Sequence, residues 1–278
     1  CQATASVNVI TNGADLQITA DKTVICEDDY VTLSANFDGF VNDNATYKWR
    51  KNTATSSVIG TGSTYTDHIT SGQYENVRYY LTVEAGDCSI TDYIDITVHP
   101  RPNTPVITVT NANVCQGAQA NAYISTTGTG SSYNSSNTYI WYVDGVEMAG
   151  ENLPSIDFVF DNPGVYTIQA RTVDQYGCVS EAVSSNAKTI RVYATPEISL
   201  SGNNIICNGD NAVITATVAP AVNYNTYTYA WSNGATGATL TTDSAGIYTV
   251  TVTNTANNVN CQATASVNVI TNGADLQI

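Results

Sequence analysis

Charge is scarce in this 278-residue chain, where Asp, Glu, Lys and Arg together make up 12%. Basic residues are the rarer kind: 9 Lys and Arg stand against 24 Asp and Glu, for a formal net charge of −15. Nucleic acid is bound by clustered Lys and Arg that displace counterions, and anionic lipid attracts the same clusters, so neither partner is expected. Histidine is nearly absent, with His68 and His99 alone in the chain. No Gly-x-Ser-x-Gly, His-Glu-x-x-His or phosphate loop occurs, and no convergent catalytic set can be assembled, so an enzyme is not expected. No Cys-x-x-Cys pair occurs either, which argues against thiolate metal binding, and no cofactor is implied. Only four lysines are present, too few to expect the isopeptide bonds of some surface sandwiches. No apolar run approaches the ~20 residues that cross a bilayer, and no segment shows helical periodicity.

What the chain does have is regular alternation. Apolar and aromatic residues make up 42% of it, interleaved with Thr, Asn, Ser and Gly at strand period. That combination is not a disordered signature; it reads as a soluble, acidic, all-β protein.

It also repeats. Residues 1–18, CQATASVNVITNGADLQI, recur without a mismatch at 261–278, which sets a period of 260 residues. The chain starts at Cys1 without an initiator Met and stops at Ile278 inside a strand-like run. The expectation is one full period of a longer array plus an 18-residue overlap. A shorter repeat lies inside the period. Cys26, Cys115 and Cys207 are spaced by 89 and 92 residues, with 79 more to the next copy of Cys26. Trp49, Trp141 and Trp231 step by 92 and 90, each in a Tyr-x-Trp tripeptide. Each domain shows an alternating run after its first cysteine (Val31, Leu33, Ala35; Ile214, Ala216, Val218), then the Tyr-x-Trp strand. The turn dipeptides Asp144-Gly145 and Asn233-Gly234 follow in the second and third domains. A later strand opens on Tyr79, Tyr166 or Tyr248. These rings, with the three tryptophans, are the expected core aromatics of antiparallel sandwiches.

Proline and glycine punctuate the joints at Pro100-Arg101-Pro102, Pro105, Thr195-Pro196 and Asn12-Gly13. The expected organisation is a closing strand of an upstream third domain at 1–12, then domains at 13–99, 100–194 and 195–271, with the next first domain beginning at 272–278. Linkers this short and proline-stiffened favour a semi-rigid rod.

Seven cysteines point to an oxidising compartment if they pair. By position we expect one bridge per domain: Cys26 with Cys88, Cys115 with Cys178, and Cys207 with Cys261. Cys1 copies Cys261 and would pair upstream. Each bridge would tie the segment before an early strand to a late hairpin turn, closing a loop of roughly 55–65 residues worth at most ~4 kcal/mol.

The third domain carries a resemblance. Ile206-Cys207-Asn208-Gly209, then Tyr229-Ala230-Trp231-Ser232-Asn233-Gly234-Ala235-Thr236, then Ala245-Gly246-Ile247-Tyr248-Thr249-Val250-Thr251-Val252-Thr253 and Cys261 follow in an order that resembles the immunoglobulin-like, PKD-like repeats of giant secreted proteins of gliding Bacteroidetes. Those include mobile gliding adhesins and filamentous appendages exported by type IX secretion. Domain one departs from the pattern at Arg78, where the other two have an apolar residue before the corner tyrosine. The resemblance implies tandem Ig-like β-sandwiches at the cell surface, acting in adhesion or as filament.

The remaining chemistry is thin. His99 beside Pro100 reads as a linker residue, and His68 as a solvated side chain in a loop. Glu27-Asp28-Asp29, and Asp38 with Asp43 and Asn44, lack the spaced Asp/Asn-Gly loop of a calcium site, so no metal is assigned. Asp243-Ser244-Ala245 matches a short O-glycosylation motif of such bacteria, making Ser244 a candidate. Among the 18 tyrosines, Tyr224, Tyr227 and Tyr229 form a cluster open to self-association or to sugar stacking. We therefore expect a structural repeat whose partners are further copies of itself, in the chain and laterally in a homo-oligomeric filament with a repeat of roughly 100–130 Å. The alternative is an adhesive module whose every period binds a cell-surface glycan or protein.

Overall fold

In the computed structural model every regular element is a β-strand. It describes residues 15–38, 45–70, 72, 75–125, 134–181, 187–207, 209–219, 226–256 and 258–272. The expectations for residues 1–12, Cys1, Asp43, Asn44 and Tyr224 fall outside these. Two units form, one from Cys1–Asn103, Asn134–Asn137 and Thr172–Glu181, the other from Thr104–Tyr133, Thr138–Arg171 and Ala182–Ile278.

The first unit holds one sandwich. Its strands are β1 (Asp15–Ala20), β2 (Val24–Cys26), β3 (Tyr30–Asp38), β4 (Thr46–Lys51), β5 (Thr64–His68), β6 (Glu75–Ala85) and β7 (Cys88–His99). One sheet has the order β1-β3-β5, the other β2-β7-β6-β4. Alternation in β6 turns Val77, Tyr79, Leu81 and Val83 inward while Arg78 faces out against Asp95 of β7. These residues close on Leu16, Val31, Leu33, Trp49, Ile96 and Val98 as one apolar core.

The second unit holds two sandwiches of the same plan. The first of them has β8 (Ile107–Thr110), β9 (Asn113–Cys115), β10 (Gln119–Ile124), β11 (Thr138–Val143), β12 (Val146–Glu147), β13 (Ser155–Val159), β14 (Gly164–Val173) and β15 (Lys188–Tyr193). Its sheets run β13-β10-β8 and β12-β11-β14-β15-β9. The last sandwich has β16 (Glu197–Asn203), β17 (Ile205–Ile206), β18 (Ala212–Ala219), β19 (Thr226–Trp231), β20 (Thr239–Thr242), β21 (Gly246–Ala256) and β22 (Val259–Thr271), ordered β16-β18-β20 and β17-β22-β21-β19. Each sandwich has its own core, around Trp141 and Ile168 in one and Trp231 and Val250 in the other.

Three local features recur and define immunoglobulin-like sandwiches. Each core Trp donates its indole N–H to a backbone carbonyl: Trp49 to Gly62 (2.8 Å), Trp141 to Leu153 (2.9 Å) and Trp231 to Gly237 (3.0 Å). Tyr166 and Tyr248 donate back four residues to the carbonyls of Asn162 and Ser244, at 2.8 and 2.9 Å, forming the tyrosine corner of this fold. A short strand before each early core strand runs parallel to the last strand of the sandwich: β2 with β7, β9 with β15, β17 with β22. Turn chemistry agrees with the sequence at Asp144-Gly145, where both residues have positive φ (49° and 80°), as a two-residue hairpin of this type requires.

The disulfide expectation is overturned. The bonds formed are Cys26–Cys178 and Cys115–Cys261, whereas Cys88 and Cys207 are exposed thiols. The reason lies in the parallel pairing. Cys26 stands opposite His99 at the end of β7, whereas Cys88 begins β7. The length of that strand separates them, roughly 37 Å at ~3.4 Å per residue, and a disulfide needs Cα atoms within ~7 Å. In the last sandwich β17 likewise meets the far end of β22, ten positions beyond Cys261.

Candidate functional site

The sites with the most specific construction are the two disulfides and what surrounds them. In the first unit Cys26 ends β2, and Glu27 N–H donates to His99 O (2.9 Å), extending the parallel pairing by one residue. Cys178 sits in the loop that follows β14, with its Cα 5.6 Å from that of Cys26. That loop is tied internally. Asp174 accepts from the backbone N–H groups of Tyr176 and Cys178 (both 2.9 Å), and Ser180 N–H donates to Thr172 O (2.9 Å). Its Tyr176 ring lies 3.6 Å from the His99 ring at an interplanar angle of 7°.

Arg101 binds across this arrangement. Its Nε donates to Glu27 O (2.9 Å), Nη1 to Val179 O (3.0 Å) and Nη2 to Asp29 Oδ1 (3.0 Å), while its backbone N–H donates to Glu27 Oε1 (3.0 Å). The planar guanidinium fork suits such a set of fixed acceptors, which a lysine would not satisfy. Two acidic residues of the Glu27-Asp28-Asp29 triplet are thus engaged by Arg101, and no metal-binding group of His, Cys, Asp and Glu occurs among the described residues.

In the second unit Cys115 ends β9 opposite Tyr193, and Gln116 N–H donates to Tyr193 O (2.8 Å). Its partner Cys261 is not in a turn, as expected, but within β22, facing Asn254 of β21; the Cα atoms of the pair are 5.5 Å apart. Asn254 is buried and donates its amide to Ala194 O (2.9 Å). An amide replaces the arginine clamp here. Both bridges share one plan: a cysteine at the end of the short parallel strand is bonded to a cysteine at the late hairpin of the following sandwich.

The other candidate residues are distributed as follows. Trp49, Trp141, Trp231, Tyr79 and Tyr248 are buried, and Tyr166 is half-buried against the same core as Trp141. Tyr79 is not a corner tyrosine; its hydroxyl donates to Asp67 instead. Ser244 is exposed in the turn between β20 and β21, its hydroxyl 3.0 Å from Asp243. His68 lies in β5 rather than a loop, stacked on Tyr30 at 4.5 Å. His99 ends β7 rather than lying in a linker. Tyr227 and Tyr229 pack half-buried on their core. A surface hollow of about 320 Å³ lined by Ile107, Thr108, Val109, Ala112, Lys188 and Thr189 offers no aromatic ring for a sugar. Arg101 and Asn254 were not singled out in the sequence; an arginine between two prolines was the available signal for the first.

No protein-family model matches this chain, and no curated protein does. Solved structures align with it at low identity. Three N-terminal domains of the bacteriophage RB49 highly immunogenic outer capsid protein share 14% identity over 93% of this chain and 96% of that one, with a TM-score of 0.34. The ectodomain (Ig1–Ig3) of mouse nectin-like molecule 4 shares 16% over 92% and 99%, TM-score 0.35. Extracellular domains 3–5 of Drosophila OTK share 14% over 96% and 100%, TM-score 0.32.

Proposed function

We propose that this chain is one structural period of a long extracellular rod, a stalk or filament used for attachment or surface contact. The observation that carries the reading is the pairing of the disulfides. Each joins the first cysteine of one sandwich to the second cysteine of the next along the chain. Tandem sandwiches are ordinarily joined by a linker alone, and their mutual contacts are small and mobile. A ligand-binding module needs only its own fold, whereas a load-bearing one gains from a second covalent path past every joint.

Disulfides of this kind persist in oxidising surroundings, which supports a location outside the cell. Gliding-associated export by type IX secretion belongs to the same reading through the sequence resemblance. Its partners are further copies of the period, in the same chain and side by side in a homo-oligomeric filament. The adhesive alternative would use exposed rings, yet Tyr30 and Tyr176 already stack on histidines and Tyr93 lies under Arg78. Electron microscopy and light scattering on a protein of two or more periods test the proposal, with extended rods expected that associate laterally. A flexible, strictly monomeric species would remove the filament, and a positive glycan array on a single period would favour the adhesive module.

A further inference from the structure

The two bonds that form leave Cys88 and Cys207 exposed and unbonded. We infer that these two cysteines complete a third bridge, from Cys207 of one period to Cys88 of the period that follows it. The inference rests on the reading that the 260-residue period recurs, and it follows from a rule that both formed bonds obey. In that rule the cysteine ending the short parallel strand of one sandwich takes the late-hairpin cysteine of the next. Cys26 takes Cys178, and Cys115 takes Cys261.

Cys207 is the remaining member of the first class. It directly follows β17, whose Ile206 pairs in parallel with Thr271, as Cys26 and Cys115 stand beside His99 and Tyr193. The parallel contact also continues past the paired residues, here with the last strand as donor: Asn272 N–H donates to Ile206 O (2.9 Å). Cys88 is the remaining member of the second class. It opens β7 opposite Ala85 across a hairpin turn at Gly86 (φ 61°). The following sandwich for Cys207 is the next first domain, and its late-hairpin cysteine is the next copy of Cys88. Side-chain exposure of both thiols is what an unmet partner requires.

The bond forms by thiol–disulfide exchange. The thiolate of one cysteine attacks a sulfur of a disulfide-type oxidant and expels one thiolate; the second cysteine then displaces the other. One S–S bond forms, one is broken, and the oxidant leaves as two thiols, carrying off the two electrons and two protons.

The test uses a protein of two consecutive periods, folded with a glutathione disulfide/thiol couple and mapped by non-reducing peptide mass spectrometry. The expected map has both bonds seen here in each period and a Cys207–Cys88 linkage within a monomer. Replacing the first-period Cys88 and second-period Cys207 by Ser should leave that linkage intact. Replacing the first-period Cys207 and second-period Cys88 by Ser should abolish it and leave the other four bonds. Free thiols at Cys207 and at the second Cys88 in a protein whose other bonds have formed would overturn the inference, as would a Cys88–Cys207 linkage within one period. The outcome is separable from that of the filament reading. A bridged protein that stays flexible and monomeric in micrographs sinks the filament and leaves the bond, while rods lacking the linkage do the reverse.

Discussion

The phenol of Tyr79 in β6 donates to Asp67 Oδ2 in β5 at 2.5 Å, a hydrogen bond that crosses from one sheet of the first sandwich to the other. Lys51 reaches the same oxygen at 2.8 Å, and Tyr65 reaches Oδ1 at 3.3 Å. Burial pushes the Asp67 carboxyl up, but the hydrogen bonds from Lys51 and Tyr79, the Lys51 charge and the Tyr65 hydroxyl outweigh it and hold it below the ordinary range. Burial and then Asp67 push the Tyr79 phenol well above its ordinary value. A lowered carboxyl contributes stability that is present above its unfolded pKa of ~3.9 and lost as the pH falls through the folded value. Urea unfolding of the first sandwich should therefore weaken below about pH 4, and Asp67→Asn should flatten that dependence. Tyr79→Phe should cost about 1–3 kcal/mol at pH 7, because it removes the donor and leaves a half-buried carboxylate short of a partner.

The tyrosine corners give a graded expectation. Tyr248 is buried, and its hydroxyl serves both Ser244 O and Thr242 Oγ1, at 2.9 and 2.8 Å. Tyr248→Phe should cost ~1–2 kcal/mol by chemical denaturation, and Tyr166→Phe, with a single and more exposed bond to Asn162, ~0.5–1 kcal/mol. Equal effects at the two sites would contradict the burial difference.

Much of this was legible from the residues. Tyr-x-Trp and the later alternating strand report side-chain burial at period two, a local property, so three sandwich cores around Trp49, Trp141 and Trp231 could be read before any coordinate. Disulfide partners are a long-range property, and a repeating sequence hides them. Each first cysteine has an equivalent second cysteine in its own repeat and another one repeat later. Chain entropy favours the shorter loop by only about 0.8 kcal/mol, from (3/2)RT times the logarithm of the ratio of loop lengths. What decides is the parallel course of β2, β9 and β17, which carries Cys26, Cys115 and Cys207 to the end of the sandwich away from the late hairpin. The departure at Tyr79 did have a local sign. Glycine stands two residues before Tyr166 and Tyr248, and Val77 stands there instead.

Two glycines separate backbone need from steric need. Gly202 in β16 has φ 125°, and a Cβ there would come within 2.1 Å of Val213 O. Gly145 also has positive φ (80°) but has open space around it. Gly202→Ala should cost roughly 2–4 kcal/mol, against about 1 kcal/mol for Gly145→Ala. Comparable melting shifts for the two variants would show that the close approach in β16 is relieved elsewhere.

Single-molecule extension of the chain should depend on reductant. The Cys26–Cys178 bond spans 152 residues, which cannot pay out while it is intact. Reduction should add about 500 Å of contour length for that segment, at ~3.3–3.6 Å per extended residue. An oxidised chain that already extends fully would mean that the bond does not form in solution.

The two bridged loops also interleave: Cys115 lies inside the loop closed by Cys26 and Cys178, and Cys178 lies inside the loop closed by Cys115 and Cys261. A string of independent sandwiches behaves as a shock absorber, since each one that unravels releases slack and dissipates a sudden pull. Overlapping loops remove that reserve, because the length gained by melting one sandwich is still held by a bond anchored in the next. A chain bridged in this way would pass a jerk on undamped, as wire does and elastic does not. In the filament proposed above, compliance would then have to come from attachment at either end or from the sliding of neighbouring chains.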